Sequence, residues 1–286
     1  MTANSAAFVA PSPPLIVVLG TNEIASAVAV HLRAAGYGVI LCHDAFPPVI
    51  RRAMAFHDTL FGDRMVIEGI EGERAETTAE IAAAVRMPRR VAVTPLGLGD
   101  VIGFLSPPIL VDARMQKRRV TPDYRAVVRL AVGLGPNFTV GKNCDIAVET
   151  RPAKNGTMVR QGETDQPDGM ARPLGGFGRE RFAYSAGAGH WHTRIEIGMR
   201  TFKGFVLGHL DGVPVHAPID GVVRGIARDS TSVPSGVKLV EIDARGRDAK
   251  WTGIDDRDRA IAECTTKTIE LHGSQQALMD AVAVWM

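Results

Sequence analysis

Short apolar runs and helical apolar repeats alternate through the first half of the chain. Leu15–Leu19 is a continuous apolar run, which is typical of a strand buried on both faces of a parallel sheet. Gly20 ends this run, residues 24–32 repeat apolar side chains at helical intervals, and Gly36 precedes a second apolar run at residues 38–42. A strand, a glycine turn, a helix and a second strand within about 30 residues predict a βαβ unit.

Further strands that end in loops continue this pattern. Apolar runs at residues 91–94, 109–111 and 131–132 each lead into a loop, and the alanine-rich segment Thr77–Arg86 predicts a helix that covers the sheet. In open α/β sheets, ligands bind where such loops leave the carboxyl ends of the strands. The fold class expected for residues 15–150 is therefore α/β, with a Rossmann-like parallel-sheet domain.

The second half contains a repeat of short β segments. Four pairs of similar residues stand 32 positions apart: Gly189 and Gly221, Gly204 and Gly236, Leu207 and Leu239, Leu210 and Ile242. The clearer second copy, residues 215–242, resembles the half-motif of biotinyl/lipoyl domains, in which two halves pack face to face as a barrel-sandwich. We therefore expect a connector over residues 151–180 and a small biotinyl/lipoyl-like β barrel-sandwich domain over residues 181–246.

The hairpin between the two copies bears on covalent cofactors. Carriers with this half-motif hold a modified lysine there, whereas residues 208–214 of this chain contain no lysine. No covalent biotin or lipoate is therefore expected, and the alternative is a structural or docking domain.

A C-terminal helical segment is expected over residues 247–286. Asp255–Leu271 predicts a helix, because acidic residues lie at its positive N-terminal end and Gly273 follows its C-terminus. The tail, residues 274–286, is expected to form one more short helix.

Composition narrows the classes of function. The 286 residues are 45% apolar and carry a net charge of +2, which is too small to indicate nucleic acid or an anionic membrane as a partner. Three cysteines, Cys42, Cys144 and Cys264, are too far apart for a disulfide framework or a CxxC metal site. Residues 1–14 lack the basic start of a signal peptide and are expected to be a flexible leader, and no apolar stretch approaches a membrane span. These features predict a cytoplasmic protein with reduced thiols.

The turn after the first strand has the position of a ligand-binding turn, but its glycines are altered. Dinucleotide-binding turns use one glycine for the bend and a second to let the backbone approach a pyrophosphate at the helix N-terminus. Gly20 keeps the first of these, but Asn22 replaces the second and Glu23 adds a negative charge beyond Thr21. Asp44, after the second strand, is the candidate for a ribose hydroxyl. Binding of NAD, binding of another ligand, and a relic turn all stay open.

Two later loops complete the candidate cofactor-binding residues. Asp112 and Arg114 follow one strand, where they could orient or neutralise an anionic ligand, and Gly133 and Gly135 follow the next. The alternative is that Asp112 and Arg114 satisfy each other and brace the loop.

His190 and His192 are weak candidates for a metal site. Residues two apart on a strand point to the same face, so both imidazoles could meet one ion. A catalytic zinc site needs three protein ligands and a structural one four, and the sequence shows no third. The expectation is therefore no metal, with hydrogen-bonded or exposed histidines instead.

Many short segments in one order resemble a known family over nearly the whole chain. These segments are Gly20–Ser26, Ile50–Phe56, Leu110–Met115, Lys117–Arg118, Gly133–Pro136, Val148–Thr150, Gly175–Gly176, Val215–Gly225, Ile242–Asp243 and Arg257–Ile261. Together they resemble the YqeB-type proteins of the selenium-dependent molybdenum hydroxylase system, related in role to accessory proteins of the XdhC type. The resemblance implies a maturation role: handling, modification or insertion of the molybdenum cofactor. The sequence departs from the family pattern at Thr21–Glu23, at Ala27 and at Arg151–Lys154.

Three hypotheses of function follow. The first is a maturation factor that binds a nucleotide or a molybdopterin-type ligand and docks a molybdenum hydroxylase apoenzyme. The second is an NAD(P)-dependent oxidoreductase, although no Tyr-x-x-x-Lys or comparable acid/base pair is evident. The third is a non-catalytic scaffold or subunit that kept the fold while its turn eroded. The sequence leaves the oligomeric state, including a homo-oligomer, open.

Overall fold

A computed structural model describes residues 13–117, 119–167 and 169–284 of the chain, with side chains to residue 274. The expected flexible leader lies outside the described residues as far as residue 12. No helix of the described part is long and apolar enough to cross a membrane.

A nine-stranded, mostly parallel sheet forms the first domain. Its strands are β1 (Leu15–Leu19), β2 (Gly38–Cys42), β3 (Val66–Ile67), β4 (Ile70–Arg74), β5 (Arg90–Thr94), β6 (Ile109–Asp112), β7 (Leu130–Leu134), β8 (Ile146–Glu149) and β9 (Thr157–Val159). They lie in the order β3-β4-β5-β2-β1-β6-β7-β8-β9, with β3 and β9 antiparallel to their neighbours. The six strands from β5 to β8 follow the doubly wound order, which reverses between β1 and β6. The α/β prediction is therefore confirmed, and β9 carries the sheet past residue 150.

Four helices accompany the sheet: α1 (Glu23–Ala34), α2 (Thr78–Arg86), α3 (Leu98–Leu105) and α4 (Asp256–Val284). Apolar residues of α1 and α4 pack on one face of the sheet, and those of α2 and α3 pack on the other. The helix predicted over Thr77–Arg86 is confirmed, with Thr77 as the N-cap of a capping box completed by Glu80. The loop after β5 is shorter than expected, because α3 begins immediately after Gly97.

The C-terminal helix differs from its prediction. Gly273 does not end it, and α4 runs without a break from Asp256 to Val284, so the separate short helix expected for the tail is wrong. A single glycine inside a helix costs only about 1 kcal/mol relative to alanine. Packing of Ile261, Ala262 and Ile269 into the core of the sheet domain stabilises the preceding turns.

Packing of α4 also compensates for two missing crossover helices. In the described residues, the connections from β6 to β7 and from β7 to β8 contain no helix, although parallel strands are usually joined by one. α4 contacts α1, β8 and β9, and so covers the part of the sheet that these connections leave open.

Two four-stranded antiparallel sheets form the second domain. Their strands are β10 (Phe182–Tyr184), β11 (Gly189–His192), β12 (Arg200–Thr201), β13 (Val206–Leu210), β14 (Val213–His216), β15 (Gly221–Ile226), β16 (Thr231–Val233) and β17 (Lys238–Asp243). The orders are β10-β17-β15-β12 and β14-β13-β11-β16. If the strands β10–β13 are exchanged with β14–β17, each with the strand four places later in the chain, one order becomes the other. The 32-residue repeat is therefore a structural pseudo-twofold.

Short 3₁₀ segments occupy the linkers at Arg52–Met54, His57–Phe61, Arg179–Arg181 and Gly246–Asp248. The first of them ties the two domains together. The carbonyl of Ile50 accepts a hydrogen bond from the Ile226 N–H at 2.8 Å, and Arg52 Nε donates to the Ile226 carbonyl at 2.9 Å. A side chain at Gly225 would lie 3.0 Å from the Ile50 carbonyl oxygen, so this glycine permits the close approach.

Candidate functional site

The turn after β1 is closed by its own side chains. Gly20 takes the bend with φ +104°, and Asn22 is the N-cap of α1. Asn22 Oδ1 accepts hydrogen bonds from the N–H groups of Ile24 at 2.9 Å and Ala25 at 3.0 Å, while its Nδ2 donates to the Ala113 carbonyl at 2.8 Å. In a dinucleotide-binding turn, free N–H groups at this helix end face the pyrophosphate. Here the asparagine amide occupies them.

Thr21 is buried beside two histidines. Its Oγ1 lies 2.9 Å from His57 Nδ1 and 3.5 Å from His43 Nδ1. Burial lowers the pKa of His57 to about 3, and the positive charges of His43, Arg52 and Arg228 act in the same direction. His57 is therefore neutral at physiological pH, and the Thr21 hydroxyl is bound inside the protein rather than directed at a ligand.

Asp44, Asp112 and Arg114 form one connected group. Arg114 donates to both Asp112 oxygens, from Nε at 2.9 Å and from one terminal nitrogen at 2.6 Å, and lies 3.5 Å from Asp44. Gln116 Nε2 donates to Asp44 at 2.8 Å. Of the two alternatives for the Asp112–Arg114 pair, the structure contains the mutual brace.

The two later glycines face side chains of the protein. A Cβ atom at Gly133 would lie 2.1 Å from the Phe138 ring, so the glycine makes room for that ring. Gly135 has φ +92°, and a Cβ there would meet Met115 Sδ at 2.9 Å. Both glycines therefore have a packing role.

His190 and His192 lie apart from this edge, exposed on β11. Each Nδ1 faces an aspartate, Asp211 at 3.7 Å and Asp229 at 3.5 Å respectively. The described residues contain no group of three or more histidine, cysteine, aspartate or glutamate side chains that could hold a metal ion.

A buried charge cluster, which no local sequence pattern indicates, joins the carboxyl edge of the sheet to the β domain. We call Glu241 on β17 together with Arg51, Arg181 and Arg224 the Glu241 cluster. Arg51 donates to both Glu241 oxygens, at 2.7 and 3.1 Å, Arg181 Nε donates at 3.0 Å, and Arg224 Nε lies at 3.7 Å. Burial disfavours the Glu241 carboxylate, but the arginines outweigh burial and lower its pKa to about 2. The glutamate is therefore ionised and shared by three cations.

The cluster extends to both domains and to α4. Arg51 also contacts Glu23, at the start of α1, at 3.1 Å. Arg224 hydrogen-bonds to Asp255, immediately before α4, and to the Lys250 carbonyl. Glu23, one of the candidate site residues, thus serves as an anchor between the domains.

Asp258, in the first turn of α4, is a buried carboxyl group. Neither of its carboxylate oxygens accepts a hydrogen bond from a described residue, and the closest cation is Arg257 at 3.5 Å. Burial and the negative charge of Glu23 raise the pKa of Asp258 to about 7, against the opposing charges of Arg51 and Arg257. Arg257 in turn donates to the Thr150 carbonyl just after β8, which places Asp258 near the carboxyl edge of the sheet.

Lys238, at the start of β17, is a cation without an acidic partner. Its Nζ lies 3.7 Å from the centroid of the Phe182 ring, and no carboxylate of the described residues forms an ion pair with it. Burial lowers the pKa of Lys238 to about 8, helped by the charges of Arg51 and Lys117 and opposed by Glu241 and Glu23. An anion beside the Lys238 amine would offset both the burial of its charge and the repulsion from Arg51 and Lys117.

One sequence signal did point to these residues. Three of the segments that carry the family resemblance, Ile50–Phe56, Ile242–Asp243 and Arg257–Ile261, contain or flank the charged residues between the domains. The resemblance indicates each of these segments separately, but it does not indicate that they lie close together in the folded protein.

The fold and the site define a class of protein: a Rossmann-like domain whose first turn is closed by its own asparagine, joined through buried charges to a pseudo-twofold β domain. The chain is a homologue of the uncharacterized protein YqeB of Escherichia coli strain K12, with 32% identity over 261 residues. The match covers 88% of this chain and 47% of YqeB, so the chain spans about half the length of that curated relative. No protein-family model matches the chain.

Solved structures give only distant similarities. The product-bound ectoine utilization protein EutE from Ruegeria pomeroyi shares 16% identity at a TM-score of 0.25, over 81% of this chain and 85% of that one. An aspartoacylase family protein from Mesorhizobium loti shares 12% identity at a TM-score of 0.25, over 81% and 84%. Similarity at this level supports no argument about the function of this chain.

Proposed function

We propose that this protein is an accessory factor in the maturation of a molybdenum hydroxylase. The observation that carries the proposal is the Asn22 cap, because it takes up the N–H groups that a dehydrogenase of this topology offers to the pyrophosphate of NAD(P). The order of segments that resemble the molybdenum hydroxylase accessory family supports the maturation role over an oxidoreductase. A cytoplasmic location fits this role.

The ligand position that we propose lies between the carboxyl edge of the sheet and the β domain. Lys238 is the unpaired cation there, and its neighbours Arg51 and Lys117 add positive potential. A phosphate group of a nucleotide or of a molybdopterin-type ligand would supply the missing negative charge. Asp258, whose pKa is about 7, would lie near such a ligand as a group able to accept or release a proton at neutral pH.

The second candidate function is a non-catalytic scaffold that docks the apoenzyme without binding a small ligand. One observation favours it: Asp44, Asp112 and Arg114, the polar candidates on the other loops, are paired among themselves or with Gln116. The two candidates differ in whether Lys238 has a ligand.

Calorimetric titration of the full chain with NAD, CTP and molybdopterin tests the ligand. We expect molybdopterin or CTP to bind, and Lys238→Met to weaken binding about tenfold or more, as for loss of a charge-assisted hydrogen bond. Lys142→Met, which removes an exposed lysine distant in sequence from Lys238, is the matched control and should leave binding unchanged. Tight NAD binding with hydride transfer would refute the proposal, and no binding of any of the three would favour the scaffold.

A reconstitution assay tests the role itself. A molybdenum hydroxylase apoenzyme, incubated with molybdenum cofactor, should gain activity faster when the full chain is present. Equal rates with and without the chain would contradict a maturation role, whichever ligand the titration identifies.

A further inference from the structure

The pseudo-twofold of the β domain allows residue-by-residue comparison of its two halves. Strand β12 pairs with β15 so that Arg200 opposes Val222 and Thr201 opposes Gly221. Strand β16 pairs with β11 so that Ser232 opposes His190 and Val233 opposes Gly189. Each residue of the first strand pair therefore has its counterpart 32 positions away in the second pair. The turns that follow also correspond, because Gly204 and Gly236 have φ +83° and +76°. Residues 199–206 and 231–238 are therefore structural equivalents.

The two equivalent segments expose different side chains. The first segment exposes four large apolar residues: Met199 (45%), Phe202 (67%), Phe205 (51%) and Val206 (39%). Their counterparts are Thr231, Pro234, Val237 and Lys238, none of them an exposed large apolar side chain. Since the fold accepts small, polar or half-buried residues at these positions, backbone geometry does not account for the exposed aromatic rings.

A pocket lies beside the first segment. The pocket, of about 270 Å³, is lined by Arg200, Thr201, Phe202 and Asp220 among others. Thr201 is 3% exposed, and the equivalent Val233 belongs to the hydrophobic core of the β domain. Because successive residues of a strand point to opposite faces, Arg200 and Phe202 lie on the solvent side of this segment.

The first segment carries exposed cations, and one carboxylate, that of Asp220, lines the pocket. Arg194, Arg200 and Lys203 are exposed, and none forms an ion pair with a carboxylate of the described residues. Glu196 is the one acidic residue in the stretch 194–206, and Asp220 accepts the backbone N–H of Lys203 at 2.7 Å. The first segment thus combines exposed aromatic rings with unpaired cations, whereas the second carries two serines at the positions of Arg200 and Lys203.

We infer that the exposed surface of residues 199–206 docks an acidic segment of a partner protein, with one carboxylate beside Arg200 and an apolar side chain next to it. The carboxylate would accept hydrogen bonds from the Arg200 guanidinium. The apolar side chain would pack against Phe202 and Phe205. This surface is distinct from the proposed ligand position at Lys238, and its test is independent of that proposal.

A small carboxylic acid with an aromatic ring, 3-phenylpropionate, is a minimal probe of this surface. In backbone amide NMR of the full chain, millimolar probe should shift the signals of residues 199–206 and of Asp220. The amine 3-phenylpropylamine is the control of opposite charge and should not shift them. Equal shifts with the amine, or none with the acid, would overturn the inference.

Two matched variants separate docking from folding. Arg200→Ser copies the equivalent Ser232 of the other half, so it should leave the melting temperature unchanged while weakening the probe about fivefold. Ser232→Arg places a guanidinium in the other half and should leave probe binding unchanged. Unchanged probe affinity in Arg200→Ser would refute the docking of a carboxylate beside Arg200.

Sedimentation of the full chain and of Phe202→Glu tests the competing occupant, a second copy of this chain. A monomer in both cases agrees with a foreign partner. A dimer that dissociates in Phe202→Glu would assign the surface to self-association and overturn the inference.

Discussion

The turn after β1 and the Glu241 cluster are both polar and buried, yet they solve the problem of burial differently. In the turn, each polar group has a partner close by: Asn22 bonds to the backbone of α1 and to Ala113, and Thr21 meets a neutral histidine. In the cluster, full charges come from distant parts of the chain: three arginines surround Glu241, and two of them also pair with carboxylates elsewhere.

This difference separates a closed site from one with capacity to bind. A turn whose helical N–H groups are capped by its own side chain has less to offer a ligand without breaking hydrogen bonds. The interface contains a buried lysine without a carboxylate partner and a buried carboxyl group, Asp258, that accepts no hydrogen bond from a described residue; both are costly as isolated charges. Four predictions test this comparison.

The largest expected effect is the loss of Glu241. Glu241→Ala leaves Arg51, Arg181 and Arg224 without their shared carboxylate and should lower the free energy of unfolding by about 3–5 kcal/mol. Urea denaturation measures this change. Glu180→Ala, which removes an exposed carboxylate nearby, is the control and should have little effect. A loss below about 1 kcal/mol would mean that water solvates the cluster.

Removal of the Asn22 cap should have a smaller effect. Asn22→Ala loses the acceptor for two α1 N–H groups and should lower the free energy of unfolding by about 1–2 kcal/mol. Asn22→Asp keeps the cap but cannot donate to the Ala113 carbonyl, so it should lose less. If the two variants unfold alike, the cap is not what stabilises the turn.

The pH dependence of Asp258 has the opposite sign from that of most carboxyl groups. Its pKa is raised from 3.8 to about 7, so its contribution to stability is fully present below pH 4 and is lost as the pH rises through 7. Asp258→Asn should therefore stabilise the protein more at pH 8 than at pH 5, by about 2–3 kcal/mol, because the folded-state carboxyl group is protonated at pH 5 and ionised at pH 8. Thermal unfolding at both pH values measures this, and destabilisation at pH 8 would show that the ionised group has a partner.

His57 should give the smallest effect near neutral pH. Its pKa falls from 6.5 to about 3 on folding, so its contribution is present above pH 6.5 and is lost as the pH falls toward 3. From pH 6.5 to 5.5, unfolding experiments should record a loss of about 1 kcal/mol that His57→Gln abolishes. An equal loss in the variant would assign the pH dependence to other groups.

Local patterns in the sequence predicted much of the fold. The apolar run Leu15–Leu19, the helical spacing after Gly20 and the 32-residue repeat each depend on near neighbours, and all three are present in the structure. The prediction that the C-terminal helix ends before Gly273 was wrong, because contacts of α4 with α1 outweigh the low helix propensity of one glycine.

The candidate site was harder to predict. The sequence identified Asn22 as an obstacle to phosphate, but not that its amide caps α1. The link between Arg51 and Glu241 spans 190 residues, and no local pattern records a pair at that separation. Lys238 and Asp258 are ordinary charged residues in sequence, and only burial makes them chemically unusual.

The interleaved strand order of the β domain has a consequence for folding. Each sheet takes two strands from each repeat, so four of the six strand pairs in the two sheets join one repeat to the other. Neither repeat can complete a sheet alone, and the long loops between paired strands must close before any core forms, which slows folding. After cleavage between Asp211 and Gly212, the β-domain part of each fragment should therefore be unfolded on its own, and mixing the fragments should restore the β domain. This behaviour is expected if the domain arose by duplication of an ancestor that assembled from two identical chains.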